Sequence, residues 1–349
     1  MTAIAEQAKA ASRPGVAAND ARRLTGLLIC LAVLVGAVLG SITIGSRDIP
    51  LLTVLDALFA YDDSNDHAIV QSLRLPRTVL GLLVGAALGI SGALIQALTR
   101  NPLADPGILG VNAGASFFVL IAVGYFGMTS LQSFIWFAFL GAILTTVMVY
   151  IVGSSGRNGA TPVTLTLAGV AVGAILGGVS TALTLLNPTA FDRMRFWAAG
   201  ALSGGTYEAV TTVAPFIIVG LLLAAVMARP LNAVALGDDL AKSLGANIVR
   251  VRTVVVVAVT LLAGGATAAV GPIGFVGLMV PHVARWIVGP DQRWIMAYTV
   301  VLAPVLLLVS DIIGRIVMRP GEIQVAIVTA FIGAPVLILL ARRRRVSGL

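Results

Sequence analysis

In a chain of 349 residues, 58% hydrophobic and only 11% charged, the apolar residues outnumber what the interior of a water-soluble fold can hide. The formal charge of +8 does not point to nucleic acid, because the basic residues cluster at the ends of apolar blocks and in a terminal run. A single cysteine, Cys30, excludes a disulfide framework and a cysteine-rich metal site.

In chain order, residues 1–20 read as a disordered cytoplasmic tail, and beyond it runs a series of apolar blocks without period-two alternation. Blocks of about 20 residues match the roughly 30 Å hydrocarbon core of a bilayer at 1.5 Å per helical residue. They predict ten transmembrane helices, at 24–42, 78–98, 108–127, 131–152, 162–186, 208–228, 251–270, 272–289, 294–317 and 322–341. The seventh and eighth are divided at Gly271-Pro272, since no single span is that long and Gly-Pro breaks a helix. The fold class is therefore an all-α polytopic membrane protein: one transmembrane domain over 21–341, then a basic cytoplasmic tail over 342–349. An apolar run of 17–19 residues after Arg22-Arg23, with further spans behind it, argues against a cleaved signal peptide.

Basic loops stay on the cytoplasmic side. Placing both termini there puts 16 of the 23 basic residues inside and 7 outside. This orientation leaves 45–75 and 187–207 outside and 229–250 inside. Asp62, Asp63, Asp66 and His67 then fall in a polar outer loop and read as solvated. The terminal run Arg342 to Arg345 reads as an anchor beside anionic lipid. Spans 2–5 and 7–10 are offset by five, so they run in opposite directions, as an inverted repeat does.

Catalytic chemistry is not legible. A P-loop needs Gly-Lys-Ser/Thr, yet both lysines, Lys9 and Lys242, follow alanine. His67 and His282 lie on opposite sides of the membrane in this topology and form no metal cluster. Asp311 is the acid nearest a span centre, and Arg315 lies one turn away on the same face. Coupling to protons or sodium thus lacks its usual midplane acid.

A partner is suggested by the inner loop RPLNAVALGDDLAKSLGANIVRVR, 229–252. Asp238 is placed to cap a short helix, Leu240 and Leu244 share a face, and Gly245 supplies a left-handed stop. Such a helix suits either a groove on a partner protein or the lipid surface. The stretch LTRNPLADPGILGVNAGA, 98–115, reads as a turn: Asn101-Pro102 ends a helix, Asp105-Pro106-Gly107 reverses the chain, and Gly110 and Gly114 permit close helix packing.

Four blocks, NPLADPGILGVNAGA, LGDDLAKSLG, VGPIGFVGLMVPHVAR and PGEIQVAIVTAFIGAP, resemble the permease subunits of ABC importers for ferric siderophores, haem and cobalamin. The likeness runs from about Leu73 to Pro335. Within that family TRNPLADPGILGVNAGASF, LTLAGVA, LLNP with RFWAAGAL, and PHVARWIVGPDQRW are most similar to the ferric-enterobactin type.

The resemblance implies a plasma or inner membrane protein without catalytic residues, metal site or cofactor of its own, ATP and Mg being held by the partner ATPase. It implies two ATPase subunits, a second and non-identical permease, and an extracytoplasmic siderophore-binding protein, besides membrane lipid and with no nucleic acid. By the same matching Gly237, Asp238, Asp239, Leu240, Lys242, Leu244 and Gly245 couple to the ATPase. Asn101, Pro102, Asp105, Pro106 and Gly107 form the cytoplasmic turn, and Arg74, Arg77 and Arg315 meet the binding protein. The expected substrate is a catecholate ferric siderophore, with cobalamin or haem as the alternative. An ion-coupled secondary transporter and an intramembrane enzyme are the readings from other classes. Residues 196–202 are expected as a short non-spanning helix at the outer mouth, and Arg193 and Arg195 as interface anchors.

Overall fold

The computed structural model describes residues 19–128, 130–156 and 161–342. The expected tail at 1–20 and basic tail at 342–349 therefore fall almost wholly outside the described residues.

Among the described residues every regular element is helical. The ten expected spans correspond to α1 (Asp20–Thr43), α4 (Leu75–Thr99), α5 (Val111–Gly124), α6 (Leu131–Ser154), α7 (Pro162–Leu186), α9 (Tyr207–Ala235), α11 (Ile248–Val270), α12 (Val276–Val288), α13 (Gln292–Val317) and α14 (Val325–Arg342). Among the described residues seven helices, counting Asn65–Thr99 as one, are long and apolar enough to cross a membrane; those at 111–124, 276–288 and 325–339 are shorter.

Two of the short helices are each preceded by irregular backbone that Pro and Gly impose. Before α5 lies a 3-10 turn, Pro106–Leu109, which ends at Gly110 with φ +75°. Before α12 lies the non-helical segment 271–275, where Gly271 has φ +77° and Phe275 φ +67°. The Gly271-Pro272 break thus occurs as expected, but it occupies five residues, so α12 begins four residues later than 272.

The remaining helices are α2 (Leu51–Phe59), α3 (Asn65–Ile69), α8 (Pro188–Ala198) and α10 (Asp238–Ser243). A π-helical turn, Val70–Arg74, joins α3 to α4. Of the four residues read as solvated, Asp62 and Asp63 are exposed, Asp66 is half-buried and His67 needs correction. Val54 and Ala57 of α2 close a small core with Ile42, Ile49 and Val70, and His67 is buried beside it. The i,i+3 spacing of those apolar residues is what folds the loop down. The piece expected over 196–202 is the end of α8 and the turn after it, where Ala201 N–H donates to the Val270 carbonyl at 2.9 Å.

The long helix α4 is the hub of the bundle, buried along nearly its whole length and packed by α9, α11, α12 and α13. Small residues at 81, 85, 89 and 92 open one side of it. A Cβ at Gly85 would stand 2.6 Å from the Pro304 Cα of α13, and one at Gly92 would fall on the Gly277 carbonyl of α12. In lipid, where apolar side chains gain little by leaving their solvent, such backbone-to-backbone approach is what holds helices together. Gly114 of α5 and Gly141 of α6 meet in the same way, as expected for Gly114.

Candidate functional site

Charged and polar side chains gather at the two ends of α4. At the Arg100 end the helix stops on Arg100, itself in the left-handed region at φ +51°. The turn beyond it is held locally. Asn101 Oδ1 accepts from Leu103 N–H at 3.0 Å and Asp105 Oδ1 from Gly107 N–H at 2.8 Å, while Pro102 and Pro106 bar helix continuation. Burial pushes the Asp105 carboxyl above the ordinary carboxylate range, against the lowering effect of the Gly107 bond.

Arg100 carries this turn to α10. Its Nε donates to the Val234 carbonyl at 2.9 Å and its Nη2 to Asp238. Asp238 also accepts from Arg252 of α11 at 2.6 Å. The expected cap is thus corrected: Gly237, at φ +111°, is the N-cap, and the Asp238 carboxylate bridges two arginines. A charge-assisted bond to guanidinium is stronger than one to a backbone N–H, which accounts for the exchange.

The stop at Gly245 is as expected. Gly245 has φ +84°, its N–H meets the Lys242 carbonyl at 2.9 Å, and Ala246 N–H meets Ala241 at 2.9 Å, the paired bonds of a Schellman ending. Ala241 is buried beneath the helix, and Asp239 and Lys242 are exposed. Leu240 and Leu244, four residues apart at α10 and its C-cap, are 49% and 62% exposed, and Leu236, ahead of the Gly237 break, is 61% exposed. Seven expected residues, Gly237 to Gly245, therefore share one small unit fastened to the α4 end. Its fasteners, Arg100 and Arg252, carry no sequence signal beyond being basic.

At the opposite end, Arg74, Arg77 and Arg315 converge, but not as free charges. Arg74 is buried and donates to the carbonyls of Ile42 (2.6 Å), Thr43 (2.7 Å) and Arg47, closing the end of α1. Arg315 caps the same helix end through the carbonyls of Ser41 and Ile44, both at 2.9 Å, and pairs with Asp311 at 2.9 Å. Arg77 meets Asp311 in a fork at 2.7 and 3.1 Å and Glu322 at 2.9 Å. Asp311 is 2% exposed on its side chain and Glu322 33%, so only the Glu322 partner faces outward. The i,i+4 pair of Asp311 and Arg315 is present as expected, and Arg77 is its third member.

Above this network is a cavity of about 430 Å³ lined by Arg47, Arg74, Arg77, Ser203, Arg315 and Glu322. Near it, Arg319 hydrogen-bonds Asp48 at 2.8 Å; with the Gly45 N–H it holds the Asp48 carboxyl below its ordinary range. His282 is buried and packs edge-on to Trp286, with ring centroids 5.0 Å apart; His67 Nδ1 lies 2.7 Å from Asp62. No cluster of three metal-ligating side chains occurs among the described residues.

A sequence model of the FecCD transport family matches residues 28–343. The chain belongs to that family. This FecCD chain is 46% identical over 333 residues to the ferric enterobactin transport system permease protein FepD of Escherichia coli (strain K12), covering 95% of this chain and 98% of that one. It is 43% identical over 318 residues to the iron(3+)-hydroxamate import system permease protein FhuB of Bacillus subtilis (strain 168), covering 91% and 82%. Among solved structures, an inward-facing conformation of a metal-chelate type ABC transporter superposes with TM-score 0.80 at 26% identity, over 92% of this chain and 99% of that one. The FecCD chain is accordingly a multi-pass membrane permease subunit and not an enzyme.

Proposed function

We propose that this FecCD chain is the transmembrane subunit of an ATP-driven importer that carries a ferric siderophore, of the catecholate class, across the plasma or inner membrane. The observation that carries the coupling half of this reading is the exposed pair Leu240 and Leu244 at α10. Exposed leucines on a short helix clamped by two arginines give an ATPase subunit an apolar contact on a rigid lever. ATP and Mg belong to that partner. The substrate half is supported by the identity to a ferric enterobactin permease.

The finer architecture is part of the proposal. Ten spans cross the membrane with both termini cytoplasmic, and α4–α7 and α11–α14 form an inverted repeat. Support comes from the matching order of a long helix, an irregular Pro/Gly segment, a short helix and two further apolar helices in each half. The assembly is two ATPases, a second and non-identical permease and one external binding protein. That protein docks over the cavity at the Arg77 end, which Arg74, Arg77 and Arg315 shape and in which Arg47 is an exposed charge.

Two measurements test this. In a Cys30→Ala background, Ser46→Cys is labelled by an impermeant maleimide from outside and Ser243→Cys only after permeabilisation; the reverse pattern refutes the orientation. After gene deletion, uptake of radiolabelled ferric enterobactin falls while cobalamin and haem uptake persist. Loss of cobalamin or haem uptake with normal iron uptake refutes the substrate and leaves the importer standing.

A further inference from the structure

On the outer surface of the bundle, the halves of α6 and α11 nearest the Arg100 end part to leave a groove of about 320 Å³. Thr146, Val147 and Tyr150 form one wall and Val256, Val257 and Thr260 the other, in antiparallel order. The threonines do not make it polar. Thr146 Oγ1 donates to the Ala142 carbonyl at 2.9 Å and Thr260 Oγ1 to the Val256 carbonyl at 2.8 Å, so both hydroxyls are satisfied within their own helices.

The groove runs past residues 253 to 261, roughly 12 Å at the helical rise, close to the roughly 15 Å hydrocarbon depth of one leaflet. Its apolar walls and its length match one hydrocarbon chain lying along it.

Charge marks one mouth. Counting back along α11, Arg250 precedes Thr253 by three residues and Val257 by seven, placing it on the groove face one turn beyond the apolar walls. Arg250 is exposed, and no ion pair among the described residues uses it. Arg252, two residues on, lies on another face and is held by Asp238.

We propose that this groove seats one acyl chain of an anionic phospholipid whose phosphate rests on Arg250. In the orientation proposed above, the lipid belongs to the cytoplasmic leaflet. Its headgroup is then two residues from the Arg252–Asp238 pair that fastens α10, so the lipid becomes part of the surroundings of the lever.

The test uses the full chain in a mild non-ionic detergent, titrated with 1-palmitoyl-2-oleoyl phosphatidylglycerol or phosphatidylcholine and read by native mass spectrometry. One arginine beside an anionic headgroup corresponds to about fivefold tighter binding of phosphatidylglycerol than of phosphatidylcholine. Arg250→Gln, a surface change, removes that preference and leaves phosphatidylcholine binding as it was. Val257→Trp fills the groove and loses both adducts, with an unchanged elution profile as the control for folding. Unchanged phosphatidylglycerol preference in Arg250→Gln, or wild-type adducts in a folded Val257→Trp chain, overturns the proposal. So does a disulfide between two Val257→Cys chains in native membranes (Cys30→Ala background), which assigns the groove to a second copy.

Discussion

Asp311→Asn is the most informative single substitution in this chain. The wild-type carboxylate accepts from Arg77 at 2.7 and 3.1 Å and from Arg315 at 2.9 Å, nearly out of reach of water. Asparagine keeps the shape but offers one acceptor oxygen and turns an NH₂ toward guanidinium N–H groups. Arg77 retains Glu322, while Arg315 retains only the neutral carbonyls and hydroxyl of Ser41 and Ile44. Removing one partner of a buried ion pair costs about 3–5 kcal/mol; with these remaining acceptors, about 3 kcal/mol is expected, a midpoint shift on the order of 5 °C or more. The assay is thermal unfolding in detergent followed by loss of the monodisperse peak. A double variant with Arg315→Met should recover part of the loss, because it removes the stranded charge along with its partner. An Asp311→Asn chain within about 0.5 kcal/mol of wild type refutes the structural role. If that stable chain also lost uptake, an ion-coupled mechanism would take its place.

Three further outcomes are expected. Leu244→Asp leaves stability within about 0.5 kcal/mol because Leu244 is exposed, yet abolishes co-purification of the ATPase by putting a charge into its contact; Gly245→Val, forced to φ +84°, gives the same loss with about 1–2 kcal/mol of destabilisation. Arg100→Gln unfastens α10 from α4, and the measure is trypsin cleavage after Lys242, which should accelerate several-fold while the core helices stay protected. Gly85→Ala requires α13 to retreat from a 2.6 Å approach and costs about 1–3 kcal/mol by thermal unfolding, whereas Gly177→Ala on α7, with nothing nearby, changes little.

The helices were legible because lipid imposes a crude demand: enough apolar residues in a row, ended by Pro, Gly or a basic residue. The stop at Gly245 was legible for a related reason, since a left-handed residue after a short polar helix has few alternatives. Asp238 deceived because a carboxylate at a helix start usually caps it, and nothing local announces two arginines arriving from 138 residues before and 14 after. The same applies at the other end of α4. Arg74 and Arg77 read as outward charges that meet a binding protein, and only the packing of α1 and α13 against α4 turns them inward. The small core under α2 was missed because an isolated nine-residue apolar helix has no span-length signature.

The Arg77 network also sets a schedule for biogenesis. Arg77 emerges from the ribosome early, but Asp311 follows 234 residues later and Glu322 after 245. At ordinary synthesis rates that is roughly 12–50 seconds during which the head of α4 has no counter-ion of its own. Through that interval the hub helix has to keep Arg77 among water and lipid headgroups, while Arg74 already has the carbonyls at the end of α1, and the helix takes its final depth only when α13 arrives. The bundle is thus locked last at the place where its chain was laid down among the first, and a chain truncated before residue 311 leaves the membrane with an unsealed hub for quality control to find.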